Sequence, residues 1–311
     1  MEVFDGYRAL PRPLVRPAIA IGNFDGVHRG HVALIAAART DLACGEVAVL
    51  TFEPHPAQVL APHAAPPRLT TPARKLELLA AAGVDVAVVL PFTPTLAGLD
   101  ATAFVDEVLV NGLGARHVVV GADFGYGRGR GGSVATLAAD GERRGYRTTI
   151  VPPVLVDGRP ASSTRARAAL AAGDLAEVST LLGHRYDVDG VVVRGAGRGK
   201  GLGIPTANVA PDGAILARPG IYAVTLTVLD GAAPRVLPGV ASLGTNPTFV
   251  DDGRLVLEVH VLDFDADLYG ARVRVEFVAW LRAEARYDSV PALLAQIDRD
   301  IVDARTALAA G

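Results

Sequence analysis

The hydrophobic positions of this chain follow two rhythms. As far as about Gly183, short apolar runs alternate with stretches of helical period. Ala18–Ile21, Val47–Phe52, Val84–Leu90, His117–Val120 and Thr148–Val151 read as strands buried on both faces. Between them, Val32, Leu34, Ile35 and Ala36–Ala38 predict one helix. Thr71-Pro72 supplies the cap and first-turn proline of a second, with Leu76, Leu78 and Leu79 inward and a stop at Gly83. Asp100 caps a third, which carries Phe104, Val105, Val108 and Leu109 and ends at Asn111-Gly112. The Ala/Pro-rich stretch Ala61–Pro67 reads as a loop. This alternation predicts a Rossmann-like, doubly wound parallel sheet whose ligands bind at the carboxyl ends of the strands.

Beyond Gly183 the period falls to two. Asp187–Val193, Ile221–Leu229, Leu237–Ser242, Leu255–Leu262 and Val273–Trp280 are strand-like and separated by Gly, Pro and Asp turns. They predict a small antiparallel β-barrel. A closing C-terminal helix, capped by Ser289 with Pro291 early, places Val290, Leu294, Ile297 and Ile301 on one face. The expected domains are 1–183 and 184–311.

Length and charge narrow the functions open to such a chain. Its 311 residues suffice for two separate cores. A net charge of -3 and a pI near 6.2 give no electrostatic case for nucleic acid or an anionic membrane as partner. The single cysteine, Cys44, excludes an internal disulfide and a cysteine-only metal cage. With no neighbour to form a thiolate, it reads as an ordinary small residue. No targeting segment opens the chain and no apolar run approaches the ~20 residues of a membrane span, so the cytoplasm is expected.

The candidate chemistry of the first domain lies just past the first apolar run. Ile21-Gly22-Asn23-Phe24-Asp25-Gly26-Val27-His28-Arg29-Gly30-His31 passes from strand through a glycine-bearing turn to a helix expected to begin at Val27. His28 and His31 then share one face of its first turn, where unpaired N–H groups and the helix dipole attract phosphate. Gly30 removes a side chain where a nucleotide would approach. In Ser162-Ser163-Thr164-Arg165-Ala166-Arg167 a second helix opens. Arg167 falls on the face of Ser163 and Thr164 while Arg165 turns away, so hydroxyls and one guanidinium converge on an anion. Two strand ends carry further polar residues, His55 between Pro54 and Pro56, and Asp123 in Val120-Gly121-Ala122-Asp123-Phe124-Gly125-Tyr126-Gly127. The tail Arg128-Gly129-Arg130-Gly131-Gly132 is too short for an RNA-binding tract and reads as a solvated loop.

In the second domain, Arg194 to Asn208 is glycine-rich without being a phosphate-binding P-loop. Gly201 follows Lys200 where Ser or Thr should hold magnesium, and Pro205 forbids the helix a dinucleotide fingerprint needs. Thr206 and Asn208, two apart on an extended chain, point the same way, though taken alone they read as turn residues. In Leu255–Leu262, Leu255, Leu257, Val259 and Val261 face one side, leaving Glu258 and His260 on the other with Val256 and Leu262. A carboxylate placed among apolar residues is costly to bury without a purpose or a partner, unless this is simply an exposed strand face.

These segments together resemble the bacterial bifunctional riboflavin kinase/FMN adenylyltransferases, also called FAD synthetases. Phe-Asp-Gly-Val-His-Arg-Gly-His looks like their HxGH form, Thr51-Phe52-Glu53-Pro54-His55-Pro56 like TFxPHP, and Ser162-Ser163-Thr164 with Arg167 like SSTxxR. Lys200-Gly201-Leu202-Gly203-Ile204-Pro205-Thr206-Ala207-Asn208 resembles GRxLGxPTAN, and Glu258 to Gly270 resembles ExHxxDF…DLYG. The resemblance implies a nucleotidylyltransferase-type first domain, a riboflavin kinase second domain, ATP as co-substrate of both and Mg²⁺ as cofactor. Riboflavin would be phosphorylated to FMN, and FMN adenylylated to FAD. His28 and His31 would act at the α-phosphate and Arg167 at the departing pyrophosphate. Gly22, Phe24, Asp25, Gly26, Gly30, His55, Asp123, Ser162, Ser163 and Thr164 would line the adenylyl site. Lys200, Gly203 and Pro205 would bind nucleotide in the kinase, Thr206 and Asn208 would hold Mg²⁺, and Glu258 would be the base. Gly125 and Ser133 stand where a basic and an acidic residue are expected, and Lys200, Ser242 and Asn246 also depart from the pattern. Two alternatives stay open here: an adenylyltransferase with a decayed kinase domain, and a flavin binder without turnover.

Overall fold

The structure, a computed structural model, describes residues 1–8, 10–40, 45–195, 203–231, 233–245 and 255–310. Cys44, Lys200 and Asn246 lie outside the described residues. The chain packs as two compact units, Met1–Ser163 and Thr164–Gly311. By packing, the helix Leu175–Leu182 and nearly all of the helix Ser163–Ala172 group with the barrel that follows.

The first unit is built on β1 (Glu2–Asp5), β2 (Pro17–Ile21), β3 (Glu46–Glu53), β4 (Val86–Pro91), β5 (His117–Gly121) and β8 (Arg147–Val151). A ribbon of β6 (Gly125–Tyr126) and β7 (Gly132–Ser133) and a hairpin of β9 (Leu155–Val156) and β10 (Arg159–Pro160) complete its strands. The six main strands are all parallel, in the order β1-β4-β3-β2-β5-β8. The central strands are continuous apolar runs because helices cover both faces; Ile19, Ala48, Val49 and Val118 have no exposure. From β2 the chain moves one way to β3 and then crosses back to β5, so a crevice opens between the ends of β2 and β5.

Helices α1 (Arg29–Arg39), α2 (Pro56–Leu60) and α3 (Pro72–Ala81) follow β2 and β3. Thr71 caps α3 as expected, its hydroxyl accepting from Arg74 N at 3.2 Å. Asp100 also caps as expected, accepting from Ala103 N at 2.8 Å, but beyond Ala103 the winding is π-helical over Phe104–Gly112. That wider turn keeps Phe104, Val105, Val108 and Leu109 buried together. Several elements differ from the sequence expectations, among them these. Edge strand β1 hides behind Glu2 and Asp5 and buries only Phe4. Helix α2 replaces a loop at His55, and a 3-10 turn, Pro62–Ala64, interrupts the Ala/Pro-rich stretch.

In the second unit β11 (Asp187–Val193), β12 (Ala207–Pro211), β13 (Gly220–Val228), β14 (Arg235–Thr245), β15 (Leu255–Val261) and β16 (Arg272–Arg282) close an antiparallel barrel, ordered β11-β12-β15-β14-β13-β16. Its interior holds Tyr222, Val224, Leu243, Leu257, Val259 and Phe277. β12 (Ala-Asn-Val-Ala-Pro) is only five residues long, with one polar side chain and a closing proline, too short to show the alternation that marks the other strands. The C-terminal helix spans Val290–Ala310, with Ser289 Oγ accepting from Ala292 N at 3.3 Å. Its packed stripe differs from the expected one: Val290 is exposed, and Ile301, Ala304, Ala307 and Leu308 meet Ala223, Val240 and Leu262. The reason is polar, since Asp300 is buried and accepts from Arg282 at 2.7 and 2.6 Å and from Gln296 at 2.9 Å, fixing the helix phase.

Candidate active sites

The turn leaving β2 carries an uncommon backbone. Phe24 (φ +54°), Gly26 (φ +79°) and Val27 (φ +40°) are all left-handed. For Phe and β-branched Val this costs about 1–2 kcal/mol each, and packing enforces it, both side chains being buried. The Asp25 carboxylate holds the turn to the approach of α3. It accepts from Leu69 N (3.0 and 3.1 Å), Thr70 N (3.1 Å) and the Thr70 hydroxyl (3.2 Å). Gly26 N donates to that hydroxyl at 3.2 Å, and Ser163 Oγ donates to Asp25 O at 2.9 Å. The Phe24 ring lies over Gly22, where a Cβ would come within 3.3 Å of it.

The helix expected from Val27 starts at Arg29, because Val27 is not helical and His28 serves as the N-cap. His28 Nδ1 accepts from Gly30 N at 3.1 Å. An accepting Nδ1 puts the ring proton on Nε2, a donor at the opposite edge. Gly30 therefore makes room for a histidine: a Cβ there would lie 2.9 Å from His28 Cε1. His31 stacks on His28 with ring centroids 3.7 Å apart and 23° between planes, and tilts against Phe24 at 4.9 Å. His31 Nδ1 is buried with no hydrogen-bond partner among the described residues. Burial first, then the His28 and Lys75 charges, hold the His31 pKa well below its ordinary 6.5. The ring is neutral at physiological pH.

An ion cluster that sequence reading missed lies close by. Buried Lys75 on α3 places Nζ 2.6 Å from Glu53 Oε1, 3.4 Å from Thr51 Oγ1 and 3.5 Å from Phe52 O. Arg68 donates to the other Glu53 oxygen and, at 2.9 Å, to Gln58 Oε1. Thr51 Oγ1 in turn donates to Asn23 O at 3.1 Å, in the turn that precedes the histidines. Burial pushes the Glu53 pKa up, but the bonds from Arg68 and Lys75 outweigh it and hold it below the ordinary value. Burial lowers the Lys75 pKa against the raising effect of Glu53. A signal existed: Lys75 stands one helical turn before inward Leu79, a cation on an apolar stripe. His55 caps α2, its Nδ1 accepting from Ala57 N and its N–H donating to Gln58 Oε1, both at 3.2 Å.

Past β5, Asp123 is exposed and its carbonyl accepts from Arg130 Nη2 at 2.8 Å. Ser133 caps the helix Val134–Arg144 in a box with Thr136, which gives that departure from the expected acidic residue a structural role. Ser162 and Ser163 close the first unit; Thr164 and Arg167 open the second. Arg165 turns to the following helix, donating to Glu177 Oε1 at 2.6 Å.

In the barrel, register brings the second set together. Asn208 on β12 stands directly opposite Glu258 on β15, and Ser242 on β14 opposes Glu258 from the other side. Directly opposed residues share a face with Cβ atoms about 4.5–5.5 Å apart. Leu257 and Val259 point inward without exposure, so this row lies on the outer face, half-buried. Thr206 immediately precedes β12 and exposed Gly203 is left-handed (φ +79°). His260 Nδ1 donates to Pro205 O at 2.8 Å, a second tie between this segment and the Glu258 strand. Gly195 admits the Asn208 amide, since a Cβ there would come 2.2 Å from its Nδ2. Two other carboxylates of the barrel are engaged elsewhere. Asp263 pairs with Arg305 at 2.8 Å, and Glu276 accepts from Thr225 Oγ1 at 3.0 Å.

A parallel sheet with a histidine-bearing helix start at its switch point, joined to a barrel with a carboxylate and an amide across one ladder, defines a two-domain enzyme of phosphoryl and nucleotidyl transfer. Comparison with known proteins agrees. Residues 13–165 match the FAD synthetase family model and residues 182–308 the riboflavin kinase model. The chain is 41% identical to a bifunctional riboflavin kinase/FMN adenylyltransferase of Pseudomonas fluorescens, covering 100% of this chain and 98% of that one. It is 40% identical to the protein of that name from Escherichia coli K12, over 92% and 91% of the two chains. A solved structure described as a macrolide-efflux protein of Streptococcus pneumoniae superposes with a TM-score of 0.87 at 28% identity, over 98% and 99%. No described helix is long and apolar enough to cross a membrane. The chain belongs to the bifunctional riboflavin kinase/FMN adenylyltransferase family, and carries both an FAD synthetase and a riboflavin kinase domain.

Proposed function

We propose that this chain makes FAD from riboflavin in two ATP-dependent steps, phosphorylating riboflavin to FMN in domain 184–311 and adenylylating FMN in domain 1–183. The observation that carries the reading is the His28–His31 stack at the start of α1, on the crevice between β2 and β5. In adenylyl transfer the FMN phosphate attacks the α-phosphorus of ATP and pyrophosphate leaves, so the protein needs to align reactants and stabilise growing charge rather than supply a nucleophile. His28 Nε2–H and His31 serve the α-phosphate. Ser162, Ser163 and Thr164 bind the triphosphate, and Arg167 takes the departing pyrophosphate. Asp25 and Gly30 act by shaping the turn and its cap. His55 and Asp123 border the site from neighbouring strand ends.

In the kinase step Glu258 accepts the proton of the riboflavin 5′-hydroxyl as that oxygen attacks the γ-phosphorus of ATP, the bond to the β,γ-bridging oxygen breaks and ADP leaves. Thr206 and Asn208 hold Mg²⁺. A hydroxyl and an amide oxygen are hard donors suited to it, and the backbone space at Gly195 fits the amide to its place. When bound, the ion neutralises charge on the ATP phosphates. Lys200, Gly203 and Pro205 bind the nucleotide. Both steps take place in the cytoplasm, the compartment expected of the sequence. The test is purified full-length chain with riboflavin, ATP and Mg²⁺, and separately with FMN and ATP, the products resolved by chromatography. Absence of FMN from the first or FAD from the second would refute the corresponding half.

A further inference from the structure

The loop after β5 holds an arginine in a conformation that arginine does not favour. Arg130 has φ +57°, between Gly129 (φ +62°) and Gly131, in a segment that also holds Gly125, Gly127 and Gly132. A glycine at 130 would take this backbone at lower cost, so the loop keeps an arginine for its side chain. That side chain folds back across the loop, Nη2 donating to Asp123 O at 2.8 Å. The guanidinium lies against the bare Cα of Gly125, where a Cβ would come 2.9 Å from Nε and 3.1 Å from Cζ and Nη2. Position 125 is thus kept empty for a cation that comes from five residues downstream. Its backbone N–H donates to Gly127 O at 2.9 Å, whereas the remaining guanidinium N–H groups have no partner among the described residues, and the residue is exposed. Asp123 lies two residues past the end of β5, and β5 pairs with β2, whose following turn carries the histidines. The guanidinium therefore stands at the carboxyl edge of the sheet on the β5 side of the switch point, fixed by backbone and presenting donors.

We infer that Arg130 is a substrate-binding cation of the adenylyl-transfer site, recognising a phosphate oxyanion of FMN or of ATP. The inference rests on the proposed function above. The experiment measures FAD formation by the full chain with the KM for FMN and for ATP determined separately, and riboflavin phosphorylation in the same preparations as a control of folding. Arg130→Gly removes the cation and relaxes the loop. It raises the KM for one phosphate substrate about ten- to a hundredfold, the range for a lost charge-assisted hydrogen bond, and leaves riboflavin phosphorylation unchanged. Whichever KM rises names the phosphate. Arg130→Gly with Gly125→Arg returns a guanidinium to the same place from the other side of the loop and recovers most of the loss. Arg130→Gln repeats the test if the glycine variant misfolds. Both KM values within twofold of wild type, or a loss that the double variant fails to recover, would overturn the inference. Wild-type chain forming no FAD would instead overturn the proposed function, a failure visible before any variant is compared.

Discussion

Replacing His31 by glutamine tests the claim that the adenylyl site keeps a buried imidazole neutral. In the unfolded chain this ring titrates near 6.5; in the fold, burial and the His28 and Lys75 charges depress its pKa. A base depressed in the fold is protonated first in the unfolded chain. Below pH 6.5 the unfolded state therefore binds more protons, and stability drops as the pH drops. At pH 5.5, one unit below the unfolded value, the penalty has a ceiling of RT ln(1 + 10), about 1.4 kcal/mol, reached when the folded ring stays unprotonated. It grows by a further ~1.4 kcal/mol per unit until the folded pKa is reached. At ~2–4 °C per kcal/mol for a domain of this size, that is about 3–6 °C in Tm. The substituted side chain keeps a polar planar group of similar reach but does not titrate. The assay is the Tm of wild type minus that of His31→Gln, followed from pH 7.5 to 5.5 by circular dichroism. The subtraction removes the contributions of the other histidines. The difference should fall over that range, by no more than about 3–6 °C. A difference that stays level would show that His31 is protonated as readily in the fold as outside it, and the account of a neutral ring would fail.

Three further outcomes follow from the geometry. Glu258→Gln keeps shape but cannot accept a proton, so FMN formation should fall about 10²–10⁴-fold while FAD formation from supplied FMN continues; normal kinase turnover would show the base misassigned. Arg165 is committed to Glu177 at 2.6 Å, so Arg165→Ala should lower the melting temperature and spare FAD formation, whereas Arg167→Ala should abolish it; equal catalytic losses would refute the assignment of pyrophosphate binding to Arg167. A fragment 164–311 should phosphorylate riboflavin and melt above 184–311, because Leu175, Val178, Leu181 and Leu182 are buried and Arg218 N donates to Leu170 O at 3.1 Å; identical melting curves would show that these helices add nothing to the barrel.

The sequence reading succeeded where one physical rule acts alone. Buried parallel strands must be apolar throughout, so β2 to β5 were legible, and period-two alternation marked Glu258 as pointing away from Leu257 and Val259. It failed where two demands compete at one residue. His28 is both a candidate phosphate ligand and a helix cap, and capping moved the helix start from Val27 to Arg29. Pro56 and His55 look like a loop until the imidazole is seen to do the work of a serine cap. The C-terminal stripe was misplaced because buried Asp300, a residue that apolar periodicity ignores, sets the phase. The opposition of Asn208 and Glu258 was out of reach, since they are fifty residues apart and only the register of β12 on β15 brings them together.

Both domains sort their charges by the same criterion. Lys75 with Glu53, Arg274 with Asp189 at 2.6 and 2.8 Å, and Arg282 with Asp300 are paired at short distance and largely shielded from water. Removing one partner of such a pair strands the other, at about 3–5 kcal/mol when burial is complete. Selection for a stable fold is then enough to keep them. Glu258 is different: it is half-buried on an outer barrel face, opposed by Asn208 and Ser242 rather than by a cation. Arg130 stands apart in the same way, exposed, held by one carbonyl and set in a costly backbone. Stability does not explain a carboxylate left beside an amide, nor an arginine where glycine would be cheaper. In a chain whose substrates are phosphates and a hydroxyl, a base and a cation are what those two positions can supply.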